Sequence, residues 1–159
     1  MSLLNLQSSD VVAQSITVID GIFFPSGGVI SDRTPIVSTN MSYTGAVVAA
    51  NAVNVNTYKE NNIVHVLVKS LLGVSSNAVA DLPITLNIPL DVALRPDVNL
   101  TFVCSVFDQI VPPNTIVPGV FGITTGGVLS FGTMELFRFT NGNKCGLALT
   151  FSCEYAVPA

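Results

Sequence analysis

Apolar and polar residues alternate with a period of two along most of this chain, and that period limits the folds it can adopt. In "NIVHVLVKS", residues 62–70, valines at every second position share one side, while His65 and Lys69 share the other. The same alternation runs through residues 98–107 and, most clearly, through residues 145–155. Period two is typical of half-buried β-strands, and no segment shows a clean helical period. The sequence therefore predicts an all-β fold.

Turn-forming residues separate the alternating segments at short intervals. Clusters such as "DG", "PSGG", "VPPN", "TGG" and "TNGN" each punctuate the pattern. The predicted strands lie near residues 15–19, 35–39, 42–49, 62–70, 83–88, 98–107, 118–124, 127–132, 134–139 and 145–155. Many short strands between glycine and proline turns favour a single-domain antiparallel β-sandwich, jelly-roll-like, over residues 15–159. Residues 1–14 lack the alternation and are predicted to form a short N-terminal arm.

One stretch, "FGITTGGVLSFG" at residues 121–132, contains four glycines and no ionisable side chain. Its two ends read as strands, and Thr125-Gly126-Gly127 lies between them. Glycine supplies the positive φ that a tight hairpin turn demands. We therefore predict a β-hairpin here, with glycines that serve conformation rather than chemistry.

The chain carries few charges, which restricts its partners. Only 10% of the residues are charged, against roughly 25% in a typical soluble domain. The net charge is -4, and the six basic residues are scattered. Binding of nucleic acid or of an anionic membrane surface requires clustered basic residues, so neither partner is expected. A surface rich in asparagine, serine and threonine is instead expected to be buried largely against other subunits.

Residues that could perform catalysis are sparse. The single histidine, His65, lies in the middle of a predicted strand, where a sheet-face or interface position is expected. A metal site needs several further ligands, and the sequence offers no cluster around it. Most acidic residues precede turns or prolines. We expect no enzyme activity, cofactor or metal, although a glycosidase-type carboxylate pair stays open because it requires proximity only in space.

Cysteine usage favours a reducing compartment. Cys104, Cys145 and Cys153 form an odd set without CxxC spacing, which argues against a disulfide framework or a zinc site. Three buried, reduced thiols are expected, and a link from Cys104 to one of the other two is left open. The start, "MSLLNLQSSDVVAQ", lacks the basic and uninterrupted apolar regions of a signal peptide, which predicts synthesis in the cytoplasm. Asn40 and Asn99 begin N-x-[ST] motifs and are candidate glycosylation sites for a secretory route.

The order of motifs in the second half resembles a known class of viral proteins. The segments are "YKENNIVHVLVKS", "LPITLNIPLDVALRPDVNLTF", "VFGITTGGVLSFG" and "FTNGNKCGLALTFSCEY", the last ending at Tyr155. Over residues 58–156, this order resembles the C-terminal β-sandwich heads of phage tail fibres and related trimeric viral surface proteins. Asn61-Asn62 stands where those heads carry Gly-Asn. The architecture also resembles the small cap or minor capsid proteins of large icosahedral viruses and the trimeric complement and tumour-necrosis-factor-like sandwiches.

The resemblance implies a non-enzymatic virion structural protein, made in the host cytoplasm. It would be a homotrimeric β-sandwich subunit that decorates a capsid or forms a fibre head, with other virion proteins, the major capsid protein among them, as further partners. A closed trimer buries apolar faces around its axis. The candidate interface residues are Phe107, Phe131, Phe137 and Phe139.

Two alternatives stay open at the level of sequence. A receptor- or glycan-binding head would use loops, for which residues 54–62 and 109–118 are predicted. The candidate recognition residues are Asn54, Tyr58, Asn61 and Asn114. A small glycan-active enzyme on the same scaffold would need carboxylates that converge on one groove.

Overall fold

The structure is a computed structural model that describes only part of the chain. The side chains described are those of residues 34–47, 52–70, 80–108 and 116–158. Two compact units are distinguished, Met1–Asp32 and Arg33–Ala159. The predicted N-terminal arm, its boundary at residue 15 and the predicted strand at 15–19 lie outside the described residues.

The first unit contains one described β-pair. Strands β1 (Ile22–Phe23) and β2 (Val29–Ile30) are antiparallel, with Ile22 opposite Ile30 and Phe23 opposite Val29.

In the second unit, two antiparallel sheets pack face to face, which confirms the predicted all-β sandwich. The six-stranded sheet has the order β11-β8-β9-β10-β7-β4, and the four-stranded sheet has the order β12-β6-β5-β3. The strands are β3 (Val37–Met41), β4 (Tyr43–Gly45), β5 (Val53–Glu60), β6 (Ile63–Val68), β7 (Ile84–Leu86), β8 (Leu100–Gln109), β9 (Ile116–Ile123), β10 (Leu129–Thr133), β11 (Lys144–Leu147) and β12 (Phe151–Ala156). The chain changes sheets between β3 and β4, β4 and β5, β6 and β7, and β11 and β12.

The apolar core lies between the sheets because period two sends every second side chain inward. Along β6 and β12, buried positions alternate with more exposed ones. Phe121 of β9 stacks on Phe151 of β12 with ring centroids 4.4 Å apart, so one aromatic pair joins the two sheets. Tyr155 adds a polar tie, because its hydroxyl donates to the carbonyl oxygen of Leu94 at 2.5 Å.

The predicted hairpin at residues 121–132 is confirmed. Strands β9 and β10 pair so that Ile123 lies opposite Leu129. Gly127, in the turn, has a φ of 80°, and its N–H donates to the carbonyl oxygen of Thr124 at 2.8 Å. This is the left-handed backbone for which glycine is suited.

The last predicted strand is wrong in one respect, because residues 145–155 form two strands in different sheets. β11 is an edge strand of the six-stranded sheet, and β12 is an edge strand of the four-stranded sheet. The crossover is held by the N–H of Ala148, which donates to the carbonyl oxygen of Ser105 at 2.8 Å. Leu149, which an unbroken alternation would place on the same side as the buried Leu147 and Phe151, is 56% exposed.

Two further local predictions need correction. Residues 134–139 form a turn and not a strand, because Phe137 has a φ of 51° and its N–H donates to Thr133 at 2.9 Å. The segment predicted as a loop at 54–62 is largely strand β5. Its asparagines occupy outward positions, while Val53 and Val55 face the core.

The three thiols are free and buried, as predicted. Burial raises the pKa of Cys104 to about 11. Burial, and secondarily the charges of Asp108 and Glu154 respectively, raises the pKa values of Cys145 and Cys153 to about 12. These thiols are protonated near neutral pH, so none is an activated nucleophile.

Candidate functional site

The sandwich presents two outer faces, one on each sheet, and they differ in chemistry. The six-stranded face is defined by the outward positions of β4, β7, β8, β9 and β10. Pairing registers place on it Thr44, Thr85, Thr101, Val103, Ser105, Phe107, Ile116, Pro118, Val120, Gly122, Ser130 and Gly132. None of these described positions carries a charged side chain, and the charge on this side of the sheet is that of Lys144, at an outward position of the edge strand β11. Val103 is 70% exposed and Ile116 is 53% exposed, so the face is both apolar and accessible in the isolated chain.

A hydroxyl row crosses this face from strand to strand. Thr44 lies opposite Thr85, Thr85 opposite Ser130, and Gly122 connects Ser130 with Thr101. The hydroxyl oxygens of Thr85 and Ser130 are 3.4 Å apart. Because all side chains in this row are small, none projects far from the sheet in this part of the face.

Two glycines allow a turn to lie on the six-stranded face. A Cβ atom on Gly132 would come within 2.7 Å of the backbone nitrogen of Arg138, and one on Gly122 would come within 3.2 Å of the Phe137 ring. The N–H of Met134 donates to the carbonyl oxygen of Pro118 at 3.0 Å, which fixes the turn to β9. Residues 134–138 therefore fill the space that side chains at Gly122 and Gly132 would otherwise take.

The four phenylalanines predicted at a subunit interface separate into two groups. Phe107, Phe131 and Phe139 are at most 2% exposed, so their side chains offer almost no accessible surface in the single chain, and their part in an interface stays a prediction. Phe131 and Phe139 belong to the core, where their rings meet edge to face at 6.1 Å. Phe137 is 37% exposed and lies against Gly122. Phenylalanine is favoured in cores as well as interfaces, so residue type alone could not separate them.

The four-stranded face is polar. It is defined by the outward side chains of β3, β5, β6 and β12, namely Ser38, Asn40, Asn54, Asn56, Tyr58, Glu60, Ile63, His65, Leu67, Ser152, Glu154 and Ala156. The amide nitrogen of Asn54 donates to the hydroxyl of Ser38 at 2.7 Å and to the amide oxygen of Asn40 at 3.2 Å. This amide group links β3 to β5 on the outer side.

A row of three side chains crosses the same face. Tyr58 lies opposite His65, and His65 lies opposite Glu154, so three neighbouring strands each contribute one member. The Tyr58 and His65 rings are stacked with centroids 4.3 Å apart and planes 8° apart. Nδ1 of His65 is 2.9 Å from Oε1 of Glu154. His65 thus lies on the sheet face, as predicted, and Glu154 orients its ring.

A side cleft of about 700 Å³ opens beside this row. It is lined by Ile36, Asn56, Tyr58, His65, Val66, Leu67, Phe102, Val103, Phe151, Ser152, Cys153 and Glu154. The amide oxygen Oδ1 of Asn56 is buried and has no hydrogen-bond partner among the residues that the structure describes. A buried, unmatched acceptor costs about 1–3 kcal/mol, so a donor placed there would be stabilised.

The predicted recognition residues fall in different places. Asn54 and Tyr58 lie on strand β5 of the four-stranded face rather than on a loop. Asn61 lies in the turn between β5 and β6, with a φ of 54° that asparagine tolerates. Asn114 lies outside the described residues. The role of these residues in recognition stays a prediction.

An end cleft of about 600 Å³ brings three carboxylates to one groove. Its lining includes Asp81, Asp108, Glu135 and Arg138. Asp108 accepts from the N–H and hydroxyl of Thr140, both at 2.9 Å, and from the amide of Asn143 at 2.6 Å. Asp108 therefore holds the chain after the Phe137 turn against β8.

The two glycosylation motifs occupy different settings. Asn40 is exposed on β3, where its amide oxygen accepts from Asn54. Asn99 accepts from the N–H of Thr125 at 3.0 Å through its side chain, so it supports the β9–β10 turn.

Comparisons with known proteins give no assignment. No protein-family model matches the chain, and the curated proteins contain no significant match. Within the residues that the structure describes, no three His, Cys, Asp or Glu side chains are grouped to hold a metal ion. No helix in that same part of the chain is long and apolar enough to cross a membrane.

Proposed function

We propose that this chain is a non-enzymatic structural subunit that associates with copies of itself through the six-stranded face. The observation that carries the proposal is the absence of charge at the outward positions of β4, β7, β8, β9 and β10, where Val103 and Ile116 are exposed at 70% and 53%. Charged residues are depleted at the cores of protein interfaces, because burying an unpaired charge is costly. An exposed apolar sheet face of this kind is typical of an interaction surface.

The stoichiometry and setting follow from the resemblance of residues 58–156 to trimeric viral surface heads. A homotrimer is a closed assembly in which each subunit buries the same surfaces around one axis. We propose such a trimer as a capsid cap, minor capsid or fibre-head subunit, with other virion proteins as further partners. Only 10% of the residues are charged, and this low fraction supports burial of much of the surface in an assembly.

Light scattering at micromolar concentration tests the proposal. The wild-type mass is expected at three times 16.7 kDa. Ile116→Lys, on the six-stranded face, should shift the mass to that of the monomer because the lysine would be buried without a counter-charge. Ile63→Lys is the matched control, since Ile63 also opens a strand but lies on the four-stranded face and is 39% exposed. A monomeric wild type, or equal dissociation by both variants, would contradict the proposal.

A second candidate, a glycan-active enzyme, is favoured by one observation. Asp81, Asp108 and Glu135 line the end cleft together, and glycoside hydrolysis requires two carboxylates at one groove. Asp108 accepts three hydrogen bonds and Asp81 accepts one from the N–H of Asn141, so both carboxylates already stabilise the fold. We therefore rank the enzyme second. Hydrolysis of a glycan panel that is abolished by Glu135→Gln in a folded protein would reverse this ranking.

A further inference from the structure

The side cleft beside the Tyr58–His65–Glu154 row has unmatched acceptors. The contact between Nδ1 of His65 and Oε1 of Glu154 places the proton of a neutral imidazole on Nδ1, which leaves Nε2 as an acceptor. Oδ1 of Asn56 is a second acceptor, buried and without a partner in the described part of the chain. Glu154 is 67% exposed and contributes a carboxylate. A ligand for this cleft must therefore supply hydrogen-bond donors.

The charge of the lining narrows the ligand class. Glu154 contributes a negative charge, and none of the described residues that line the cleft is lysine or arginine. Anionic ligands such as phosphate or carboxylate would meet the negative charge without a counter-charge. A cationic ligand gains from the same charge, and the net charge of -4 favours its approach.

The rest of the lining is apolar and aromatic. Ile36, Phe102 and Phe151 line the cleft beside the polar row. Aromatic rings attract cations through their π-electron faces, and apolar side chains pack on a hydrocarbon stem. The cleft thus combines acceptors for a donor-bearing head group with a wall for an apolar stem.

The row is also held in place before a ligand arrives. Its members lie on three adjacent strands rather than on loops, and the stacked rings and the His65–Glu154 contact restrain their rotamers. Sites on strands keep their geometry better than sites on loops. Binding therefore requires little ordering of the protein.

We propose that the side cleft binds an organic cation, an ammonium or guanidinium group on an apolar stem, with Glu154, His65 and Asn56 accepting its hydrogen bonds. The chemistry can come from a lysine or arginine side chain of a partner protein or from a small free amine. The polar row lies on the opposite face from the proposed subunit interface, but Val103 belongs to that interface face and also lines the cleft, so the two surfaces meet at this residue.

NMR titration of the backbone and His65 side-chain signals tests the site. The probes are n-butylammonium, a short lysine-containing peptide, n-butanol and methyl glucoside. Both cations should bind in the millimolar range and shift signals of Tyr58, His65 and Glu154, whereas butanol and the neutral sugar should not. Tighter binding of the peptide would identify a protein side chain as the source, and equal binding would identify a free amine.

Charge-neutralising variants decide whether the effect is local. Glu154→Gln should weaken cation binding about fivefold, because an exposed ion pair contributes up to about 1 kcal/mol. Glu135→Gln, a matched change in the end cleft, should leave the affinity unchanged. The titrations are repeated with Ile116→Lys, so that a cleft covered by self-association is distinguished from an absent site. Binding of methyl glucoside alone, equal effects of both glutamine variants, or no shifts in either background would overturn the proposal.

Discussion

The two outer faces of the sandwich arise from one backbone pattern but carry different chemistry. Outward positions of the six-stranded face are threonine, serine, glycine, proline, valine, isoleucine and the buried Phe107, with a charge at Lys144 on the edge strand β11. Outward positions of the four-stranded face include asparagines and the Tyr58–His65–Glu154 row. Alternation determines which side chains point outward, and the identity of those side chains determines what each face can bind. The fold therefore supplies two chemically different surfaces, one suited to assembly and the other to an organic cation, and they meet at Val103.

The largest expected effect is a difference in stability between a substitution in the core beneath the six-stranded face and one on the face itself. Phe131→Ala should lower the free energy of unfolding by about 4 kcal/mol, because it leaves a cavity in a fully buried site. Phe137→Ala should cost no more than about 1 kcal/mol, since Phe137 is 37% exposed. Urea unfolding of both variants measures the difference. Equal losses would mean that Phe137 belongs to the core and not to the face.

Alkaline pH should lower the free energy of unfolding through groups buried between the two sheets, and not through groups on either outer face. The pKa of Cys104 is raised to about 11 and those of Cys145 and Cys153 to about 12, from 9.0, and burial also raises the pKa of Tyr155. Raised values mean that the stability is full below pH 9, where the thiols are protonated in both states, and is lost as pH rises toward 11–12. Between pH 9 and 10, the loss should be about 1 kcal/mol per thiol.

Urea unfolding at pH 8, 9 and 10 measures this slope. Cys104→Ala should reduce the slope by about one third while lowering the stability at pH 8 through lost packing. A stability that is constant between pH 8 and 10 would show that the thiols do not remain buried in solution.

Gly132 tests whether missing side chains shape the six-stranded face. Gly132→Ala should cost about 2 kcal/mol, because the added Cβ would come within 2.7 Å of the backbone of Phe137 and Arg138. Gly126→Ala is the control in the same hairpin, since the added Cβ would meet Oγ1 of Thr124 at 3.6 Å, an ordinary van der Waals distance. Unfolding free energies of the two variants should differ clearly. If they match, the turn at 134–138 does not rest on β10.

Local structure was predictable from the sequence where it depends on neighbouring residues. The alternation identified β6, β8 and β9, and the glycines identified the turn at Gly127. The alternation also continues from Leu147 to Phe151, so it could not reveal that the chain changes sheets at residues 148–150. The side of a strand that a residue faces follows from its neighbours in sequence, whereas the sheet that the strand joins depends on distant partners such as Ser105.

The candidate sites were predictable only in part, for the same reason. The sheet-face position of His65 follows from its place in an alternating strand. Its stacking on Tyr58 and its contact with Glu154 depend on the registers of β5 and β12, and Glu154 is distant in sequence. The nearly uncharged outer face could be recognised only once the order of its strands was known, although the low charged fraction had already indicated an extensive contact surface.

The smallest expected effect compares one cross-strand pair from each face. In double-mutant cycles with alanine, the stacked pair Tyr58–His65 should show a coupling of about 0.5–1 kcal/mol. The hydroxyl pair Thr85–Ser130, at 3.4 Å on the six-stranded face, should show less than about 0.5 kcal/mol, since its contact is long for a hydrogen bond between hydroxyls. A coupled Tyr58–His65 pair would mean that the ligand face is already organised in the free protein. A coupling near zero would mean that a ligand must order these rings on binding, and the affinity expected for an organic cation would fall accordingly.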